Sequence, residues 1–148
     1  MRISAKGEYA IKAMLDLALH AGKGLIPIQE IAGRQGIPQR YLEQVLLVLK
    51  RAGFLTSKRG SAGGYRLQRS AREITVGEVI RAIEGSLAPL DMGRRGGRSS
   101  GQDHSGDLQE LWRKVSDAVS GVLDQITLAD LCEKVEERRS ALRPMYHI

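Results

Sequence analysis

One face of a helix predicted around residue 40 carries side chains suited to hydrogen-bonding a polyanion or the edge of a base. Gln39, Arg40, Gln44, Lys50 and Arg51 lie opposite Leu42, Val45, Leu46 and Leu49. The four apolar residues recur at i, i+3, i+4 and i+7, which marks one buried face at helical period. Amides and guanidinium groups on the other face can pair with base edges or phosphates. Further on, Arg59 heads the loop Arg59-Gly60-Ser61-Ala62-Gly63-Gly64, whose glycines permit positive φ and a close backbone approach to another molecule. These groups act together only if a scaffold brings them to one side. The stretch from Ile28 to Leu67 can do so. It reads as a short helix, Ile28 to Arg34, a turn at Gly36, and a second helix with Pro38 at its first position, where the missing N–H would be unpaired anyway. Gly53 stops that helix. Phe54 to Lys58 and Tyr65 to Gln68 then form two strands of a hairpin. A helix-turn-helix followed by a basic hairpin is the layout of a winged-helix DNA reader. Small structural domains without a ligand share the same outline.

Charge favours the first alternative. The 148 residues carry a net charge of +6, unevenly spread. Residues 1–75 hold 13 Lys/Arg against 5 Asp/Glu, and residues 76–148 hold 10 against 12. The positive excess therefore travels with the hairpin and its helices, where a polyanion would dock. At 42% hydrophobic and 4% aromatic, the core must be aliphatic. One cysteine excludes an intramolecular disulfide framework. With no long apolar run and no signal peptide, a soluble cytoplasmic protein is expected.

Three segments are expected: a DNA-binding unit over 1–85, a flexible connection over 86–106, and a dimerisation unit with a tail over 107–148. Ser4 suits the N-cap of a first helix running to about His20. Arg2, Ser4 and Lys6 stand at its start, where backbone N–H groups and the helix dipole favour a phosphate. An ordinary solvated N-terminus reads equally well. Thr75 caps a short helix, Val76 to Glu84, closed by Gly85. Residues 92–106 are rich in glycine, arginine and serine, a composition too polar to pack. Asp107 opens the longest helix, with Leu108, Leu111, Trp112, Val115, Val119, Val122, Leu123 and Ile126 as a stripe alternating three and four. A partner helix is the expected cover, because a winged helix of about 75 residues leaves little apolar surface for it. Packing on its own domain is the alternative. Thr127 and Asp130 form a capping box for a last helix, which ends before Pro144.

Taken together, MRISAKGEYAIKAMLDLA, RYLEQVLLVLKRAGFLTSKRGSAGGYRL, ITVGEVIRAIEG and ELWRKVSDAVSGVLDQITLADL resemble the IscR/NsrR/CymR group of bacterial winged-helix repressors, the Rrf2 family. The resemblance covers nearly the whole chain and implies a mainly α fold with a small β wing. It implies a homodimer joined through the long helix, with two winged helices on a palindromic site. Carried onto this chain, Gln39, Arg40, Tyr41, Glu43 and Gln44 would face bases or phosphates, and Arg59, Gly60 and Ser61 the wing tip. Glu43 helps only if it accepts from a cytosine amine.

The chain departs from part of that family. Cluster-binding members carry three cysteines in the loop before the long helix, and here residues 92–106 contain none. Soft thiolates are what such clusters require, so no cofactor and no metal are expected. Asp103, His104 and Asp107 are poor substitutes. Cys132 stands alone and reads as a small packed residue rather than a redox sensor. Among cluster-less members the resemblance is to CymR-type repressors of cysteine metabolism, carried by the end Met145-Tyr146-His147-Ile148. It implies that Tyr146, His147 and Ile148 dock on O-acetylserine sulfhydrylase, the terminal carboxylate in an anion pocket. A stress-type or iron–sulfur-type regulator of the same family, sensing by another route, is the second reading. An architectural, nonspecific DNA binder is a third. An enzyme is not expected, since His20, His104 and His147 are scattered and no nucleophile–base pair or phosphate loop appears.

Overall fold

The computed structural model describes residues 3–85 and 105–142. Within them the chain forms α1 (Ala5–Leu19), α2 (Ile28–Gln35), α3 (Gln39–Arg51), β1 (Leu55–Lys58), β2 (Gly64–Leu67), α4 (Val76–Glu84), α5 (Ser105–Leu123) and α6 (Leu128–Leu142). The fold is mainly α with a small β wing, as the sequence indicates. None of the helices among the described residues is long and apolar enough to cross a membrane.

α1 forms the floor. Ser4 caps it, its hydroxyl accepting from Gly7 N–H at 3.1 Å. Met14 and Leu17 from α1, Ile31 from α2 and the α3 stripe Leu42, Val45, Leu46 and Leu49 are all buried in one cluster. Phe54, Leu55, Ile74 and Val79 close it from the wing and α4. Each fully buried Leu or Ile contributes roughly 1.5–3 kcal/mol relative to exposure. Gly36 makes the turn between α2 and α3 in the left-handed region, φ 64°, where a Cβ would be strained.

β1 and β2 pair antiparallel with Leu55 opposite Leu67 and Lys58 opposite Gly64. The strands lie one residue off the expected bounds, yet Gln68 N–H still donates to Phe54 O at 2.9 Å. The sequence reading misses a third partner. Ile26 and Tyr65 exchange both backbone hydrogen bonds at 2.8 Å, which ties the wing to the segment before α2. Gly64 allows this approach, since a Cβ there would stand 2.4 Å from Ile26 O.

Other boundaries also differ from expectation. Pro38 has φ −57° and ψ 125° and sits at the N-cap of α3 rather than inside it. α5 begins at Ser105, two residues before Asp107. It ends at Leu123, so Ile126 falls outside the helix. Ile126 O instead accepts from Val76 N–H at 2.8 Å, which takes its backbone out of helical register. Thr127 and Asp130 form the expected capping box, at 2.9 and 3.1 Å. Leu128 is fully buried in the cluster that holds Leu17 and Leu46, so the chain returns to the winged helix after α5, and α6 packs on α1.

Candidate nucleic-acid interface

The buried stripe of α3 decides what its other face can do. With Leu42, Val45, Leu46 and Leu49 held inward, Gln39, Arg40, Tyr41, Glu43, Gln44, Leu47, Lys50 and Arg51 are exposed. Arg40, Lys50, Arg51, Lys58 and Arg59 have no acceptor among the described residues. Tyr41 is anchored edge-on against Tyr9 of α1, ring centroids 5.3 Å apart and planes at 80°. That contact stiffens the start of α3 without using the phenol oxygen.

The wing stands beside the C-terminal half of α3. A groove of about 470 Å³ runs between them, lined by Ile28 and Gln29 of α2, Lys50 of α3, and Lys58, Arg59 and Ser61 of the wing. Gly60 lines the same groove. The Ile26–Tyr65 bridge ties the hairpin beside it to the segment before α2. Three cations and the start of a helix thus face one trough. α2 and α3 have no side-chain N-cap, following Pro27 and Pro38; Glu30 N–H turns back to Pro27 O at 3.1 Å, and the N–H groups of Ile28 and Gln29 and of Gln39, Arg40 and Tyr41 are left for an outside acceptor such as a phosphate. Lys58, Gln29 and Leu47 were not singled out from the sequence. Leu47 follows Arg40 by seven residues and Gln44 by three, which is a legible sign that it shares their face.

The start of α1 differs from expectation. Ser4 N–H donates to Glu84 Oε1 at 3.1 Å, and the Ser4 hydroxyl donates to the same oxygen. A carboxylate from the end of α4 already sits where a phosphate was expected. Lys6 is half-buried, and Arg2 lies outside the described residues.

A buried clamp orients the helix-turn-helix. Asp16 of α1 is 1% exposed. Arg34 grips its two carboxylate oxygens from Nε and Nη2, both at 2.9 Å, and Gln35 Nε2 adds a third bond at 3.1 Å. Burial alone would raise the Asp16 pKa, but the Arg34 and Gln35 hydrogen bonds outweigh it and hold the carboxyl below its ordinary value. The same carboxylate raises the Arg34 pKa still further. Because Arg34 and Gln35 end α2, the clamp fixes the residues that launch α3.

Over residues 106–123, α5 has no fully buried residue. Leu108, Leu111 and Val122 are 48%, 47% and 59% exposed, while Trp112, Val115 and Val119 are half-buried. Tyr146, His147 and Ile148 lie outside the described residues. No group of three or more His, Cys, Asp or Glu side chains among the described residues is placed to hold a metal ion. Cys132 on α6 is half-buried. Burial, and then the Glu136 carboxylate, push its thiol pKa up, which makes it a poor thiolate at neutral pH.

Comparison with known proteins agrees with this geometry. The sequence model of the Rrf2 family, described as an iron-dependent transcriptional regulator, matches residues 3–134. HTH-type transcriptional regulator IscR of Serratia proteamaculans is 45% identical over 132 residues, covering 88% of this chain and 79% of the relative. IscR of Escherichia coli O1:K1 is 41% identical over 136 residues, covering 92% and 83%. Among solved structures, T. potens IscR superimposes with a TM-score of 0.78 at 38% identity, covering 99% of this chain and 97% of that one. CymR (YrzC), the global cysteine regulator of B. subtilis, superimposes with a TM-score of 0.77 at 35% identity, covering 90% and 98%. These relatives are transcription regulators and not enzymes, and the solved ones share this fold; the chain belongs to the Rrf2 family of DNA-binding transcriptional regulators.

Proposed function

We propose that this regulator is a homodimeric, sequence-specific repressor that sets two winged helices on a palindromic operator. One observation carries the reading: the exposed face of α3 and the wing hold five cations that nothing among the described residues pairs. In this reading Gln39, Arg40, Glu43 and Gln44 meet base edges in the major groove. Arg59, Gly60 and Ser61 enter the neighbouring minor groove, and Lys50 and Lys58 hold the strand between. Leu47 offers the apolar contact that a thymine methyl accepts. Residues 1–85 read DNA, 86–106 connect, and the α5 stripe pairs the protomers. The test is the affinity ratio between an operator selected from a random pool and random duplex at fixed salt. A ratio of about a thousandfold or more is expected. A ratio near one would make the protein an architectural binder instead.

The signal it answers is read best as a stress-type or iron–sulfur-type regulation sensed by another route. The name IscR on relatives 41–45% identical supports this, as does the 99% coverage by T. potens IscR. The donors of this chain do not fit a thiolate-held cluster, because Cys132 is its one cysteine and its thiol is biased towards the protonated form. Repression of cysteine genes, with Tyr146, His147 and Ile148 docked on O-acetylserine sulfhydrylase, is the second reading. The fold likeness to CymR favours it. Mapping the bound operators across the genome separates the two by the genes that follow them.

A further inference from the structure

One ion pair fixes the direction in which α5 leaves the winged helix. Arg81 of α4 presents its guanidinium as a fork: Nη1 donates to Asp124 Oδ1 at 2.6 Å and Nη2 to Asp124 Oδ2 at 2.8 Å. Asp124 is the residue immediately after α5. Gly77, one turn before Arg81 on α4, leaves the space this carboxylate occupies, since a Cβ there would stand 2.1 Å from Asp124 Oδ1. Beside the fork, the segment after α5 is laced to the start of α4. Val76 N–H donates to Ile126 O at 2.8 Å, and Leu128 N–H donates to Ile74 O at 2.9 Å. The root of α5 is therefore held on two sides, while no residue over 106–123 is fully buried.

The pair is a weak candidate for plain stabilisation. Its side chains are 39% and 42% exposed, and solvent-screened pairs add little to stability. A bidentate arginine–carboxylate pair does something a point charge does not: it fixes relative orientation in two dimensions. α5 is 19 residues long, roughly 28 Å at 1.5 Å per residue. A tilt of about 7° at its root moves the far end by about 3.4 Å, the rise of one base pair.

We propose that Arg81, Asp124 and Gly77 are positioning residues that set the angle between the winged helix and α5, and so set which half-site spacing the dimer accepts. This rests on the α5-mediated dimer proposed above. One base pair of added spacer shifts a half-site by about 3.4 Å and turns it by about 34°. A fixed root rejects that displacement, and a loosened root tolerates it.

The experiment uses the full chain and a series of operators with identical selected half-sites, the spacer changed one base pair at a time. Wild type is compared with Asp124→Asn, Arg81→Lys and Gly77→Ala by fluorescence anisotropy, with sedimentation of each. The wild type should prefer one spacing by about tenfold or more over its neighbours. Each variant should remain a dimer, and its preference should fall to about threefold or less. Arg81→Lys is the informative arm, because it keeps the charge and loses the fork. Should Gly77→Ala fail to fold, Asp124→Asn, nearly the same shape at an exposed position, carries the test. Dimeric variants with the wild-type spacing profile would overturn the proposal while leaving the dimer standing. Variants that dissociate would overturn it too, by making the pair part of the dimer's stability. A monomeric wild type would remove the dimer reading itself, and this inference with it.

Discussion

The arginines of the α3–wing face and those of the scaffold have opposite situations. Arg40, Arg51 and Arg59 stand exposed with no acceptor among the described residues, whereas Arg34 and Arg81 each grip a carboxylate with two nitrogens. Helix starts divide the same way. α1 and α4 are capped by Ser4 and Thr75, and α6 by the Thr127–Asp130 box. α2 and α3, which border the groove, have no side-chain cap. A folded chain leaves polar groups unsatisfied only where water or a partner completes them. The pattern of satisfied and open groups thus outlines the interface more sharply than charge alone.

The comparison breaks most severely if the partner surface of α5 is misread. Val115→Glu combined with Val119→Glu should dissociate the proposed dimer and reduce operator affinity by at least about a hundredfold, since in that reading one chain alone spans one half-site. Sedimentation and anisotropy on the same sample check it, and a double variant that stays dimeric reassigns the seam.

Next in size is the scaffold side. Asp16→Ala should cost about 2 kcal/mol in denaturant unfolding, below the usual cost of splitting a buried pair because Arg34 still reaches solvent. The pH dependence follows from the lowered Asp16 pKa. A carboxyl bound less tightly to its proton in the folded state contributes stability that is fully present above the ordinary carboxylate value, about 4. That contribution is lost as pH falls through this range towards the folded value. Asp16→Asn should flatten the acid limb of the stability curve, and an unchanged limb would remove the clamp from the ledger.

Effects of comparable or smaller size belong to the open face. Arg59→Ala should weaken operator binding by about 1–3 kcal/mol if its guanidinium occupies a narrow minor groove. Gln39→Ala and Arg40→Ala should shift the ranking of operator variants, whereas uniform weakening would make them phosphate contacts. The smallest effect is expected at Lys50. Lys50→Ala should lower the slope of log affinity against log salt by about 1, with the ranking of operators unchanged. A changed ranking at constant slope would move Lys50 from the phosphate trough to a base edge.

The elements were largely legible because their causes are local. The α3 stripe shows in Leu42, Val45, Leu46 and Leu49, since helical period places residues three and four apart on one face. Ser4, Thr75 and Thr127 could be read as caps because the N–H they meet lies three residues on. The same locality misled at the end of α5. Ile126 continues the apolar spacing, but the Val76–Ile126 hydrogen bond, made to a residue far back in the chain, takes the backbone out of the helix first. The Ile26–Tyr65 bridge and the burial of Leu128 escaped for that reason too.

Composition, charge and short-range periodicity therefore determined the fold class, the polar face of α3 and the basic wing, each written among neighbours within about two helical turns. Tertiary structure alone decided which charged groups are paired across elements. Arg34 meets Asp16 from 18 positions away, Asp124 meets Arg81 from 43, and Glu84 meets Ser4 from 80. Electrostatic attraction falls with distance through space and takes no account of distance along the chain. Nothing in residue type separates Arg81, held by Asp124, from Arg59, left open on the wing; only the packing of α4 against the end of α5 does.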